Sequence, residues 1–130
     1  MIHLTIVTPD RKVADKQVDE VSLPGSEGYL GVLPGHAPLL SALKVGEVSY
    51  REAGQWHFIA VAWGFVEVLA DRVSVLADIA ERAEDIDLER AKQAKSRAED
   101  RLKKQTDVDW DRARAALEKA FVRIQVAQKA

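Results

Sequence analysis

The chain changes character once, and abruptly. Up to Ile79 it consists of short β-branched and aromatic runs punctuated by Gly, Pro and Asp; after Ile79, Gly and Pro vanish and Ala, Glu, Lys and Arg dominate to the end. No one regular architecture takes both patterns. The expected fold is therefore a mainly β N-terminal sandwich followed by a C-terminal antiparallel α-helical hairpin, with residues 1–84 forming the β domain and 85–130 the hairpin. At 130 residues the chain can bury one modest core plus an appendage.

Strands are expected at 2–8, 18–23, 28–33, 46–51, 56–63, 65–70 and 72–77, with turns at Thr8-Pro9-Asp10, Pro24-Gly25, Pro34-Gly35, Ala53-Gly54 and Ala70-Asp71. In Val66-Glu67-Val68 and Val73-Ser74-Val75, apolar and polar residues alternate, so each strand has a dry face and a wet one. That pattern predicts antiparallel pairing rather than a parallel nucleotide-binding sheet. In the helical half, Asp85 is the expected cap of a first helix with Ile86, Ala91, Ala94, Ala98 and Leu102 along one side. Residues 103–107 break it. Asp109 then caps a second helix whose apolar stripe is Ala113, Leu117, Ala120, Phe121, Ile124 and Ala127. The first helix offers mostly alanine, which removes little area from water, so the hairpin is expected to be held weakly and to open or close for a few kcal/mol.

Composition narrows the function. With 47% hydrophobic and 31% charged residues the chain reads as a globular protein, and no apolar run approaches the ~18 residues of a spanning helix. The start, Met1-Ile2-His3-Leu4, has no secretory-signal pattern, and cysteine is absent; the expected compartment is the cytoplasm or a cytoplasmic face. A net charge of −2 argues against general nucleic-acid binding. The charge is divided unevenly: 6 Lys/Arg against 10 Asp/Glu up to Ala80, then 13 against 11 from Glu81 onward.

No enzyme-like constellation stands out. His3, His36 and His57 lack metal-site spacing, so no metal site is expected and each reads as structural or interfacial. Gly25-Ser26-Glu27-Gly28 and Gly31-Val32-Leu33-Pro34-Gly35-His36 superficially resemble a phosphate loop, but no Gly-Lys-Ser/Thr closes either one. They are read instead as two tight loops at one end of the sandwich, shaped for docking. Arg90 and Arg97 lie seven apart on the first helix, and Lys119 and Arg123 four apart on the second. Two readings of these cations stand: convergence on a polyanion beside Asp87, or an ordinary surface laced with salt bridges.

Taken in order, Thr8-Pro9-Asp10, Pro24-Gly25-Ser26-Glu27-Gly28, Gly31-Val32-Leu33-Pro34-Gly35-His36-Ala37-Pro38-Leu39-Leu40, Gly64-Phe65-Val66-Glu67-Val68 and Ala83-Glu84-Asp85-Ile86-Asp87 resemble the hallmarks of the bacterial F-type ATP synthase ε subunit. The resemblance covers essentially the whole chain. It implies a non-catalytic subunit of the proton-translocating complex, bound peripherally on the cytoplasmic side of the cell membrane. Its sandwich would sit at the foot of the central stalk against the γ subunit and the c-subunit ring. Glu27, Gly28, Tyr29, Leu30 and Gly31 would approach the ring, and the segment around His36 the neighbouring stalk contact. The hairpin would be a regulatory arm that inhibits ATP hydrolysis when extended into the catalytic α/β head and permits it when folded down.

Some members, chiefly from Bacillus-like bacteria, bind ATP on the folded hairpin through an Ile/Leu-Asp-x-x-Arg-Ala motif. Ile86, Asp87, Arg90 and Ala91 match it, Arg97 matches a later first-helix arginine, and Lys119 and Arg123 stand where such members carry two second-helix arginines. Lys119 departs from the pattern, keeping the charge but losing the planar fork. The resemblance thus implies ATP as a regulatory ligand and no prosthetic group. A free-standing nucleotide-sensing adapter with the same sandwich-plus-hairpin plan is the alternative function.

Overall fold

The computed structural model describes residues 1–103 and 109–130. Eight strands come first: β1 (Ile2–Val7), β2 (Lys12–Val18), β3 (Glu20–Gly25), β4 (Gly28–Val32), β5 (Leu39–Leu43), β6 (Gly46–Glu52), β7 (Gln55–Val68) and β8 (Arg72–Arg82). A single 3₁₀ turn at Ala83–Asp85 leads into α1 (Leu88–Lys103), and α2 (Trp110–Ala127) closes the chain. The order is the expected one of strands, then two helices.

The strands run in the order β2-β1-β8-β7-β5-β3-β4, with β6 pairing β3 and β7. β7 ties the β domain together because it is long enough to serve two neighbours. Its first half pairs β6 as far as Val61 opposite Gly46, and its second half pairs β5 from Gly64 opposite Leu43. At the changeover Trp63 has φ 54° and Gly64 φ 137°, so the strand bends without ending. Sequence patterning split this strand in two at Gly64, because a glycine among β-branched residues reads as a break when it can equally mark a bend.

Three other strand expectations need correction. β2 was missed; it is a terminal strand of the sheet whose run Lys12-Val13-Ala14-Asp15-Lys16-Gln17-Val18 carries the charges that protect an edge, and these hide its period. β5 was missed too, since Leu39 and Leu40 are exposed and give no dry face to read. β8 continues to Arg82, five residues beyond the expected end, and carries the chain to the helices. Pairing is antiparallel throughout except between β1 and β8, which are parallel. That geometry needs a long crossover, and here nearly the whole β domain supplies it.

One core fills the β domain, centred on Ile2, Leu4, Ile6, Leu23, Val66 and Val73, all fully buried. A second, smaller cluster joins the sandwich to the helices: Ala60 and Ala83 from one side, Ile86, Ala91 and Val126 from the other, with Phe58, Val122 and Ile124 packed around them. The alanine seam between the helices is as expected, with Ala91 and Ala98 of α1 and Ala113 and Ala120 of α2 buried. Phe121 is not part of it. It is 51% exposed, its ring 4.7 Å beneath the Lys95 ammonium, because only small residues fit a close seam and a phenyl ring must turn outward.

Asp109 caps α2 as expected, its carboxylate accepting from the Arg112 amide at 3.0 Å. The cap of α1 is Asp87 rather than Asp85. Arg82 donates to the Asp85 carboxylate at 2.9 Å, while the Asp87 carboxylate accepts from the Arg90 amide at 3.1 Å and its carbonyl from Ala91 at 3.0 Å. The helix accordingly begins at Leu88. Of the expected break at 103–107, residues 104–107 lie outside the described residues.

Candidate functional site

α1 leaves the sandwich at Leu88 and α2 returns to it, so the hairpin encloses a groove against the end of β8. The groove has a volume of about 720 Å³, and its walls combine Arg90, Arg97 and Arg101 of α1 with Lys119 and Arg123 of α2. Glu81 and Ile79 of β8 form its floor, and Ala94, Ala98, Ala116 and Ala120 separate the charged walls. Among the described residues the groove carries five cations and a single carboxylate, which favours an anion bearing several charges.

The cations differ in what already holds them. Arg123 is the most enclosed, its side chain 20% exposed against 25% for Glu81. Its Nη2 donates to Glu81 Oε2 at 3.1 Å, while Nε lies 2.7 Å from Oε1 as an ion contact without a hydrogen bond of its own. The Lys119 ammonium sits 5.8 Å from the centre of the Trp63 ring, the residue at the bend of β7. Further along, Lys129 donates to both carboxylate oxygens of Glu47 at 2.7 and 3.0 Å and lies 4.8 Å from the Phe58 ring. Thus α2 and the residues just after it reach the sandwich through three cations. Arg90, Arg97 and Arg101 are exposed and make no ion pair among the described residues.

Of the residues singled out on the helices, Arg90, Arg97, Lys119 and Arg123 are brought to one groove. The others of that group lie elsewhere. Asp87 caps α1, Ala91 is fully buried, and Ile86 is buried beside it in the joining cluster. Glu81 and Arg101 were missed. Arg101 had a signal, since it follows Arg97 by one further turn on the same side of the helix. Glu81 had none, because only the fold carries β8 to the groove.

The β3–β4 turn presents Glu27 to solvent, β4 then exposes Gly28, Tyr29 and Gly31, and Leu30 packs against the main core. The Tyr29 hydroxyl accepts from the Glu47 amide at 3.0 Å, which fixes a side chain 62% exposed. His36 lies in the connection after β4, its Nδ1 2.7 Å from the Ala37 carbonyl. The two glycine-framed loops are therefore not at one end of the sandwich. They flank β4, Glu27 before it and His36 after it, a separation of roughly 15 Å for a strand of this length. Linear proximity of the two motifs concealed the strand between them.

The remaining histidines have local tasks. His3 binds Asp15, and that bond, together with Lys12, holds the Asp15 carboxyl below the usual range. His57 stacks on Tyr50 at 5.2 Å, and burial pushes the Tyr50 phenol up. No group of three or more metal-ligating side chains occurs among the described residues, and no described helix is long and apolar enough to cross a membrane. Phe65 and Leu76 face each other across β7 and β8, each 60% exposed. Phe65 is in phase with Glu67 rather than with Val66 and Val68, so the alternation itself had placed this apolar residue on the wet face.

The class this defines is a β-sandwich protein with a folded helical hairpin. Residues 1–83 match the family description "ATP synthase, Delta/Epsilon chain, beta-sandwich domain", and residues 84–128 match "ATP synthase, Delta/Epsilon chain, long alpha-helix domain". The chain is 53% identical to the ATP synthase epsilon chain of Trichlorobacter lovleyi over 131 residues, covering 99% of this chain and 95% of that one. It is 52% identical to that of Nitratidesulfovibrio vulgaris over 126 residues, covering 96% and 94%. A chain in the cryo-EM structure of the Euglena gracilis mitochondrial ATP synthase, OSCP/F1/c-ring, shares the fold with a TM-score of 0.84 at 24% identity, over 98% of this chain and 81% of that one. The chain belongs to the ATP synthase epsilon chain family.

Proposed function

We propose that the chain is the rotor subunit at the central stalk of an F-type ATP synthase, and that its hairpin is a brake on ATP hydrolysis released by bound ATP. In this reading it catalyses nothing. The sandwich joins γ to the c-subunit ring on the cytoplasmic side of the membrane, through the segment from Glu27 to Gly31, the loop at His36 and the exposed Phe65–Leu76 pair. Relatives in complexes described by their F1 head, c-ring and central stalk support these partners. If the stalk contacts reside in the sandwich, a chain ending at Glu84 stays folded and co-purifies stoichiometrically with γ, because its main core draws on no helical residue. A free-standing nucleotide sensor would bring down no γ at either length.

The observation that carries the brake is the cationic groove, which exists only while both helices lie folded against β8. ATP binding there stabilises the folded arm in proportion to RT ln(1 + [ATP]/Kd), about 2.7 kcal/mol at a hundredfold excess over Kd. Abundant ATP keeps the arm down. Scarce ATP frees it to extend toward the α/β head and stop hydrolysis. Arg90→Ala removes a charge-assisted phosphate contact of about 1.5–3 kcal/mol, so inhibition should persist to higher ATP. The check is hydrolysis by the assembled complex across an ATP series. An unchanged inhibition profile in a variant that no longer binds ATP would show that the groove is not the switch.

A further inference from the structure

We propose that Glu47 is the clasp that holds the end of the hairpin on the sandwich, and that Tyr29 sets how firmly it closes. The two helices are tied down unequally. α1 continues covalently from the sandwich, whereas α2 returns to it and is held there by side chains alone. The last of these ties is Lys129, just beyond α2, whose amide bonds the Val126 carbonyl at 3.0 Å so that it moves with the helix. Its ammonium donates to both carboxylate oxygens of Glu47 and lies over the Phe58 ring. The Glu47 side chain is 17% exposed and pairs with no other cation among the described residues.

The carboxylate that makes this tie stands on a strand segment fixed from its other edge. β3 pairs β6 from Ser49 to Arg51, so the Glu47 amide, which faces the same edge, lies beyond that ladder. Tyr29 supplies the missing acceptor, its hydroxyl taking the amide at 3.0 Å. The tyrosine can reach it from β4 because position 46 is glycine. A Cβ there would stand 2.8 Å from the Tyr29 hydroxyl and 2.6 Å from Cβ of Pro24, the residue paired with Tyr29 across β3 and β4. One hydroxyl thus orients the backbone that aims the Glu47 carboxylate, and the contacts run in series from Tyr29 through Glu47 to Lys129. Without the first bond Glu47 can turn, and a contact made through two oxygens depends on that orientation. Tyr29 is mostly exposed and lies in the segment proposed to meet the rotor ring, so whatever packs on it also acts on the end of α2.

The test is amide hydrogen exchange across α2 in the nucleotide-free full chain, comparing the parent with Tyr29→Phe, Lys129→Ala and the double variant. Both residues are exposed and belong to neither core, so each variant should fold as the parent does, which circular dichroism checks. Lys129→Ala should speed exchange of the amides from Val122 to Gln128 by about fivefold, with β1, β7 and β8 unchanged. Tyr29→Phe removes a single oxygen on the β domain, yet it should speed the same helical amides by about threefold in the parent and not at all once Lys129 is Ala. That loss of effect is the mark of contacts acting in series. An equal factor for Tyr29→Phe in both backgrounds would mean that the hydroxyl reaches the hairpin by another route, and would overturn the proposal. So would unaltered exchange in Lys129→Ala, or acceleration that spreads equally through the core strands. Neither nucleotide nor partner is present in the experiment, so each of these failures leaves the readings of the groove and of the ring contact as they stand.

Discussion

Gly64→Ala is expected to destabilise the β domain by upwards of about 3 kcal/mol, enough to remove much of the stability of a small domain. Two separate costs combine. With φ 137°, Gly64 occupies a region that a residue bearing Cβ enters only at a cost of about 1–3 kcal/mol. A methyl group there would also stand 1.9 Å from the Leu76 carbonyl oxygen and 3.0 Å from the Ala77 Cα. These are backbone atoms of β8, hydrogen-bonded to β7 with Ala77 directly opposite Gly64, so no rotamer change can relieve the contact. The ladder itself must open. Gly31→Ala is the matched control: a Cβ there meets nothing within 4 Å, and its effect should stay within about 0.5 kcal/mol. Urea unfolding of the two variants checks the pair, and similar midpoints would contradict the account of the bend.

Val126→Asp is expected to detach the hairpin while leaving the sandwich folded. Val126 is the one fully buried α2 residue in the cluster that joins the helices to the sandwich, where three of its four buried neighbours are alanines. Losing its burial removes about 1.5–3 kcal/mol, and a carboxylate in its place would be buried among apolar side chains. The combined cost exceeds what so small a cluster supplies. The main core does not include Val126, so the sandwich melting transition should be unchanged. Limited trypsin digestion should cut the variant rapidly at the helical arginines and lysines while sparing the β domain. Equal protection of the hairpin in variant and parent would show that the docking is stronger than its packing implies.

Much of this architecture was legible before any coordinates. The loss of Gly and Pro after Ile79 announced helices after strands, although β8 runs on to Arg82, and alternation in Val66-Glu67-Val68 and Val73-Ser74-Val75 identified the dry faces correctly. What escaped was decided by tertiary context. β2 is charged because it is an edge, β5 exposes its leucines, and Asp85 lost the capping role to Asp87 because Arg82 claims its carboxylate. Cations at helical spacing could be read as convergent or as scattered salt bridges; only the fold brings Arg90, Arg97, Lys119 and Arg123 to one groove and lays Glu81 beneath them. The same folding back separates Glu27 from His36 across β4, which spacing along the chain could not reveal.

The central claim is that ATP holds the hairpin folded against the sandwich, and amide hydrogen exchange across α2 tests it most directly. In the isolated full chain, exchange of the amides around Ala120 to Val126 should slow as ATP is added, by a factor tracking 1 + [ATP]/Kd and so roughly a hundredfold at a hundredfold excess over Kd, while the core strands β1, β7 and β8 exchange as before. Arg123→Ala should lose most of that slowing. If α2 exchanges at the same rate with and without saturating ATP, the folded arm is not the ATP-bound state and the brake is set by something other than this groove.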